Sequence, residues 1–290
     1  MRKYAAALTL VGVLTLGASA KALMIAPSPI SQRVARADAV VIGKVTALAE
    51  KTEKADMFKG DDREMQITTV KVEEAVLGKK TQTIKVAFFP PSAPANVGGG
   101  IRIRPGFGRG SVQLTKDQES MFFLTKHPTK KNLYVVQQYF EVVTKTGNEG
   151  FANERDEARK YAQVLKEAKT ILASKDATLP FESGMMLVTR YRSAPAGVTK
   201  TEAVPADESK KILTALAKAD WKTVAPRFNA ISPMGTFFLL GLQPKDGWTQ
   251  PKDNTQFATE AKKWLEANAG KYEMKRFVRE SDKKDGTEPE

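Results

Sequence analysis

The sequence predicts an α+β protein. A small closed or partly closed Greek-key β-barrel of five strands occupies residues 31–147, and a bundle of about five α-helices occupies residues 150–278. Three observations carry this expectation. Apolar and polar residues alternate with period two across the first half, with enrichment in β-branched and aromatic types. The second half instead repeats its apolar residues at three and four positions, as amphipathic helices do. The 290 residues include no cysteine, so the core alone must hold the fold.

The strands follow in order. "ADAVVIGKVTALAE" (37–50) alternates after Ile42, setting Gly43, Val45 and Ala47 against Lys44 and Thr46. "MQITTVKVEEAVLG" (65–78) sets Val70 and Val72 against Lys71 and Glu73. "TQTIKVAFF" (81–89) sets Ile84, Val86 and Phe88 against Thr83 and Lys85. "ESMFFLTK" (119–126) is nearly all apolar, as a strand buried on both faces is. "LYVVQQYFEVVT" (133–144) completes the set. Short polar turns join the second run to the third and the fourth to the fifth. The joints 51–64 and 90–116 are long, a length that marks functional or mobile loops.

In the second half, "NERDEARKYAQVLKEAKTILAS" (153–174) places Tyr161, Val164, Leu165, Ala168, Ile171 and Leu172 on one helical face. Asn153 is expected to cap it, and Asp156 to pair with Lys160. Further helices are expected over 181–193, 205–221, 232–242 and 254–270. Met185, Leu187, Ile212, Leu216, Phe257 and Trp264 face inward, Met186, Phe237 and Phe238 are also read as core, and Ser232–Pro233 starts the fourth. Residues 271–280 are expected to add a strand or an extended cover, and 281–290 to form a disordered tail.

Pieces of the first half together resemble a known family. "ADAVVIGKVTAL", "TTVKVEEAVLGKK", "ESMFFLTK" and "LYVVQQYFEVV" are similar to the OB-type barrel of the netrin-like and tissue-inhibitor-of-metalloproteinases superfamily. Similar domains occur in exported bacterial proteins. The resemblance covers roughly 115 residues and rests on strand patterning. It implies a fold and a capacity for protein or polyanion contacts. It does not imply metalloprotease inhibition, because the family's zinc-chelating N-terminal cysteine has no counterpart here. "ESKKILTALAKADW" and "AKKWLEANAGKYEMKRFV" resemble C-terminal regions of exported bacterial proteins, and no activity travels with that likeness.

The N-terminus supplies an address. Arg2 and Lys3 precede an apolar run, Tyr4–Gly17, and the small residues Ala18–Ala20. This order is that of a secretory signal, expected over residues 1–20 with cleavage near Ala20. The run is shorter than a bilayer span requires, and no later segment is apolar enough to cross a membrane, so a periplasmic or extracellular protein is expected.

Charge adds a second clue. The chain carries +13, and residues 92–131 hold seven cations against Asp117 and Glu119. Concentrated charge raises the local potential toward anionic partners; a surface kept soluble by charge is the plainer reading. "NVGGGIRIRPGFGRGSVQ" (96–113) gathers six glycines with Arg102, Arg104 and Arg109 around Phe107. It lacks the GK[ST] of a phosphate-binding loop and the third glycine of a dinucleotide motif, so no nucleotide cofactor is expected. A plain long turn and a cationic loop contacting a polyanion both remain open. Lys126, Lys130 and Lys131, around the fourth-to-fifth turn, form the second component of a candidate basic face.

The remaining chemistry is sparse. His127 is the sole histidine, expected to be exposed in a turn, and no nucleophile-elbow motif accompanies it. Zinc sites built from histidine and cysteine are excluded by number. "GDDRE" (60–64) reads as a solvated charged loop. The expectation is therefore an exported, non-catalytic binding protein without cofactor or metal, whose partner is a protein or an anionic polymer of the cell envelope. The alternative is an envelope hydrolase with acidic residues in a groove between the two halves.

Overall fold

The computed structural model describes residues 27–90, 112–174, 178–218, 221 and 233–279. The fold is α+β: a mixed sheet of seven strands, with helices covering one of its faces. Residues 1–20, expected as a leader, and 281–290, expected as a tail, lie outside the described residues.

The described chain begins with a helix that the sequence reading did not anticipate, α1 (Ile30–Arg36). There follow β1 (Ala39–Leu48), β2 (Glu53–Lys54), β3 (Glu64–Leu77), β4 (Thr83–Phe88), β5 (Glu119–Lys126), β6 (Leu133–Val136) and β7 (Val142–Thr144). The strand order is β1-β3-β4-β6-β5-β7, with β2 beside β3. β1 pairs with β5 as well as with β3, so the hydrogen-bonded path through β3, β4, β6 and β5 returns to β1. All pairings are antiparallel except β4 with β6.

The sheet has seven strands where five were expected, for two reasons. The long connection after β1 contributes β2. The run 133–144 is not one strand: it breaks at a 3-10 turn, Tyr139–Glu141. The Glu141 carboxylate accepts from the backbone N–H of Gln137 at 2.6 Å and of Gln138 at 3.1 Å. A side chain that occupies backbone donors in this way competes with the ladder.

Alternation sorts the strand residues among three apolar clusters. Val40, Ile42, Met121 and Phe123 point toward the helices. Ala39, Val41, Val45, Ile84, Val86, Phe88, Phe122 and Leu124 form a second cluster. Ala87, Leu133 and Val135 face the opposite side, where Ala55, Met57 and Met65 cover them. β5 buries both faces, which is why its sequence shows no polar alternation.

The second part comprises α2 (Phe151–Lys166), a one-turn α3 (Ala168–Ile171), α4 (Thr178–Arg192), β8 (Thr201–Ala203), α5 (Ala206–Lys218), α6 (Pro233–Leu239), α7 (Phe257–Asn268) and β9 (Lys275–Phe277). β9 pairs with β8, giving the segment after α7 its extended form. The inward residues expected on α5 and α7 are buried. Three details differ from expectation. α2 starts before Asn153, at a Gly150 whose N–H is held by the Asn148 side chain. Asp156 pairs with Arg155 and Arg159, while Lys160 lies 4.0 Å from Glu182. Phe237 is core, whereas Phe238 is 48% exposed. The core around the helices includes sheet residues, so strands and helices share one continuous apolar interior.

Candidate functional site

The β5–β6 connection carries the three described members of the expected basic face. Lys126 ends β5 and is exposed, Lys130 is half-buried, and Lys131 is exposed. Lys130 is already engaged: its Nζ donates to Glu53 at 3.2 Å and to the Lys54 carbonyl at 3.0 Å. The backbone N–H of Lys126 donates to Asp38 at 2.7 Å. Arg102, Arg104, Phe107 and Arg109 lie outside the described residues. The flanks of their segment do enter one cluster, which takes in Phe88 on one side and Val112 and Leu114 on the other.

His127 is not exposed, contrary to expectation; it is 5% accessible. Its Nε2 lies 2.6 Å from the Ala55 carbonyl, so Nε2 carries the hydrogen and donates. Its Nδ1 accepts from the backbone N–H of Lys130 at 3.0 Å and of Thr129 at 3.2 Å. Both nitrogens are thereby occupied by backbone. Burial, with Lys130 nearby, pulls the imidazole below its ordinary pKa.

Asp61 is also buried, the exception in a segment, 60–64, whose Gly60, Asp62 and Glu64 are exposed as expected. It accepts from Arg63 Nε at 2.7 Å, from Arg63 Nη2 at 2.9 Å and from the Met57 N–H at 3.1 Å. These bonds, the Arg63 side chain first, hold its pKa down. Arg63 in turn stacks on Phe89 at 4.5 Å and on Phe58 at 5.4 Å. His127 and the Asp61–Arg63 pair thus add to the β2–β3 pairing and the Lys130 bonds in fastening the connection after β1 to the sheet.

Two concavities border the helices. A groove of about 380 Å³ runs between sheet and α2, lined by Ile42, Glu73, Glu74, Lys145, Phe151 and Arg155. Here Glu74 receives Arg159 Nε at 2.8 Å and Nη2 at 2.6 Å, and its carboxyl is pulled below the ordinary range by that bond. A cavity of about 70 Å³ lies beside α1, lined among others by Arg33, Arg36, Phe123, Thr125, Phe140 and Glu141. The Arg33 side chain is 8% exposed; it donates to the Phe140 carbonyl at 2.7 Å, pairs with Glu154 at 3.3 Å and stacks over Phe123 at 4.9 Å.

The sequence reading missed this second cavity because it missed α1. The signal was small but present: Pro29 precedes a pair of apolar residues, Ile30 and Val34, at helical spacing, and Arg33 and Arg36 follow from the same period. Glu141 was hidden inside a run read as strand. No family model matches the chain, and no curated protein matches it.

Proposed function

We propose that the protein is an exported, non-catalytic binding protein, in which a netrin-like OB-type barrel presents basic loops to a protein or an anionic polymer and the helical part supports it. On this reading the closed pairing path β1-β3-β4-β6-β5 is the barrel, with β2 and β7 as additions to it. The leader over residues 1–20 is its export signal. The partner is met by Lys126, Lys130 and Lys131 together with Arg102, Arg104, Phe107 and Arg109.

The observation that carries the non-catalytic part is the use made of His127. The only imidazole in the chain is buried and its two nitrogens are bonded to backbone, so it is a fastener between loops and not a general base. The hydrolase alternative requires a carboxylic acid held protonated in the groove. Glu74 in the groove between sheet and α2 is paired with arginine at two points and shifted the opposite way, and Glu141 beside α1, though raised by burial, spends its carboxylate on the backbone N–H groups of Gln137 and Gln138.

The test of the binding part is retention on immobilised heparin. The mature protein should elute with a sharp salt dependence. Replacing Arg102, Arg104 and Arg109 by alanine should lower the eluting salt concentration, and adding Lys131→Ala should lower it further. Retention identical in all three proteins would remove these residues from the proposal. A pulldown from the envelope fraction at low and high salt then separates a protein partner, which gives discrete bands, from a charged polymer.

A further inference from the structure

We propose that the cavity beside α1 is a binding site for a small monocarboxylate, held by the guanidinium groups of Arg36 and Arg33. This site is separate from the basic turn and does not depend on it.

The first argument is an unsatisfied donor. The two terminal nitrogens of Arg33 are bonded, to Phe140 and Glu154, but its buried Nε has no partner among the described residues. Buried donors in native proteins are nearly always paired with protein, water or ligand. The second argument is a second guanidinium beside it, which feels the charge of Glu141. Arg36 lines the same cavity and is exposed, and no hydrogen bond or ion pair ties its guanidinium among the described residues. Guanidinium is the side chain best matched to a carboxylate, which it can grip through two parallel hydrogen bonds.

Size and charge then select the ligand. The concavity is small, about 70 Å³, a size that suits an ion of a few heavy atoms. Phe123 and Phe140 supply apolar wall for a short alkyl group. Three carboxylates act on Arg33, those of Glu154, Glu157 and Glu141. Each repels a second negative charge on the ligand, so a monoanion is favoured over a dianion.

The experiment is a calorimetric or NMR titration of the full mature protein with acetate, and separately with inorganic phosphate, against chloride at matched ionic strength and pH 7.5. Acetate should saturate with a Kd between about 0.1 and 10 mM, the range open to so few atoms. Phosphate, mostly dianionic at that pH, should bind more weakly. Arg36→Gln, at an exposed position, should weaken acetate at least about tenfold, the loss expected of a charge-assisted bond. Glu141→Gln should tighten it, and the Lys130→Ala/Lys131→Ala protein should bind acetate unchanged. Non-saturable acetate binding (a cavity holding water only) overturns the proposal. So does acetate binding indifferent to Arg36→Gln, or phosphate binding at least as tight as acetate. Because the basic turn is varied independently, failure here leaves the heparin result standing, and the converse also holds.

Discussion

His127 shows how a single residue can be legible as a type and misread as a role. A lone histidine before proline in a polar connection looks solvent-facing. In the fold it is the peg on which the connection after β1 is hung, through Ala55, Thr129 and Lys130. Its neutral form is the one these bonds require: protonation would place a hydrogen on the Nδ1 that accepts two backbone N–H groups. Burial disfavours the charge most and Lys130 adds to it; together they outweigh the Ala55 carbonyl, Asp56 and Asp61, which favour it. The folded pKa is therefore below the unfolded value of about 6.5. The unfolded chain binds the proton first, so stability is full above that value and is lost as pH falls through it toward the folded pKa. Glu141, raised by burial, works in the opposite sense, adding stability as pH falls. The measurement is therefore a difference: urea midpoints of the native protein and His127→Gln from pH 8 to 5. The native protein should lose stability relative to the variant below about pH 6.5, with a slope bounded by one proton, about 1.4 kcal/mol per pH unit. Parallel curves would remove His127 as the titrating group.

At the scale of elements, alternation in β1, β3 and β4 was readable because each sends one face to an apolar cluster and the other to solvent or helix. What was not readable arose where a non-local demand overrode the local period. Ala47 alternates with Val45 in sequence, yet it is exposed, because the β1–β3 register shifts between Val45 and Ala47. The same ladder shifts between Ile42 and Gly43, and there the glycine has a definite reason. A Cβ at Gly43 would sit 2.4 Å from the Lys71 carbonyl oxygen and 2.9 Å from Val70 Cγ1. The obstacle is backbone of the neighbouring strand, pinned by the ladder, so it cannot rotate aside. β1 is in turn held by β5 on its other edge, across Gly43↔Ser120. Gly43→Ala should therefore cost about 2 kcal/mol or more in urea unfolding, the range for inserting a methyl group into packed surroundings. Ala47→Gly, on the same strand but exposed, should cost less than half of that. A gain in stability for Gly43→Ala, the sign that strand propensity alone gives, would remove the close approach as the reason for the glycine. The basic turn was located correctly as a turn, but the engagement of Lys130 by Glu53 depended on β2, a two-residue strand inside a connection, and no periodicity can announce so short an element.

At the scale of the molecule, the strands and helices are bound by more than their shared apolar core. Arg279, just past β9, reaches Asp38 at the start of β1, with Nη1 at 2.7 Å and Nη2 at 2.8 Å from the two carboxylate oxygens. Asp38 also receives the Lys126 N–H, and the neighbouring Ala37 carbonyl receives Arg190 Nη1 at 3.1 Å. One short stretch between α1 and β1 thus collects contacts from β5, α4 and the segment after β9. Sequence could not have paired residues 241 positions apart, since neither lies in a motif. The pair is largely sheltered, with side chains 9% and 19% exposed, so removing one partner strands the other. Arg279→Ala should lower unfolding stability by about 3 kcal/mol, the lower end for breaking a sheltered ion pair. Asp38→Ala should cost at least as much, because it also frees the Lys126 N–H. If the two groups act on each other, the double variant will cost clearly less than the sum of the single losses, leaving a coupling of about 1–3 kcal/mol. Because the apolar interior is continuous from Val40, Ile42 and Phe123 into the helices, unfolding of each variant should remain one transition, with intrinsic fluorescence and far-ultraviolet circular dichroism coincident. Additive losses would show that the two residues act separately. Split transitions would show that the clamp, and not the shared core, is what makes the strands and helices unfold together.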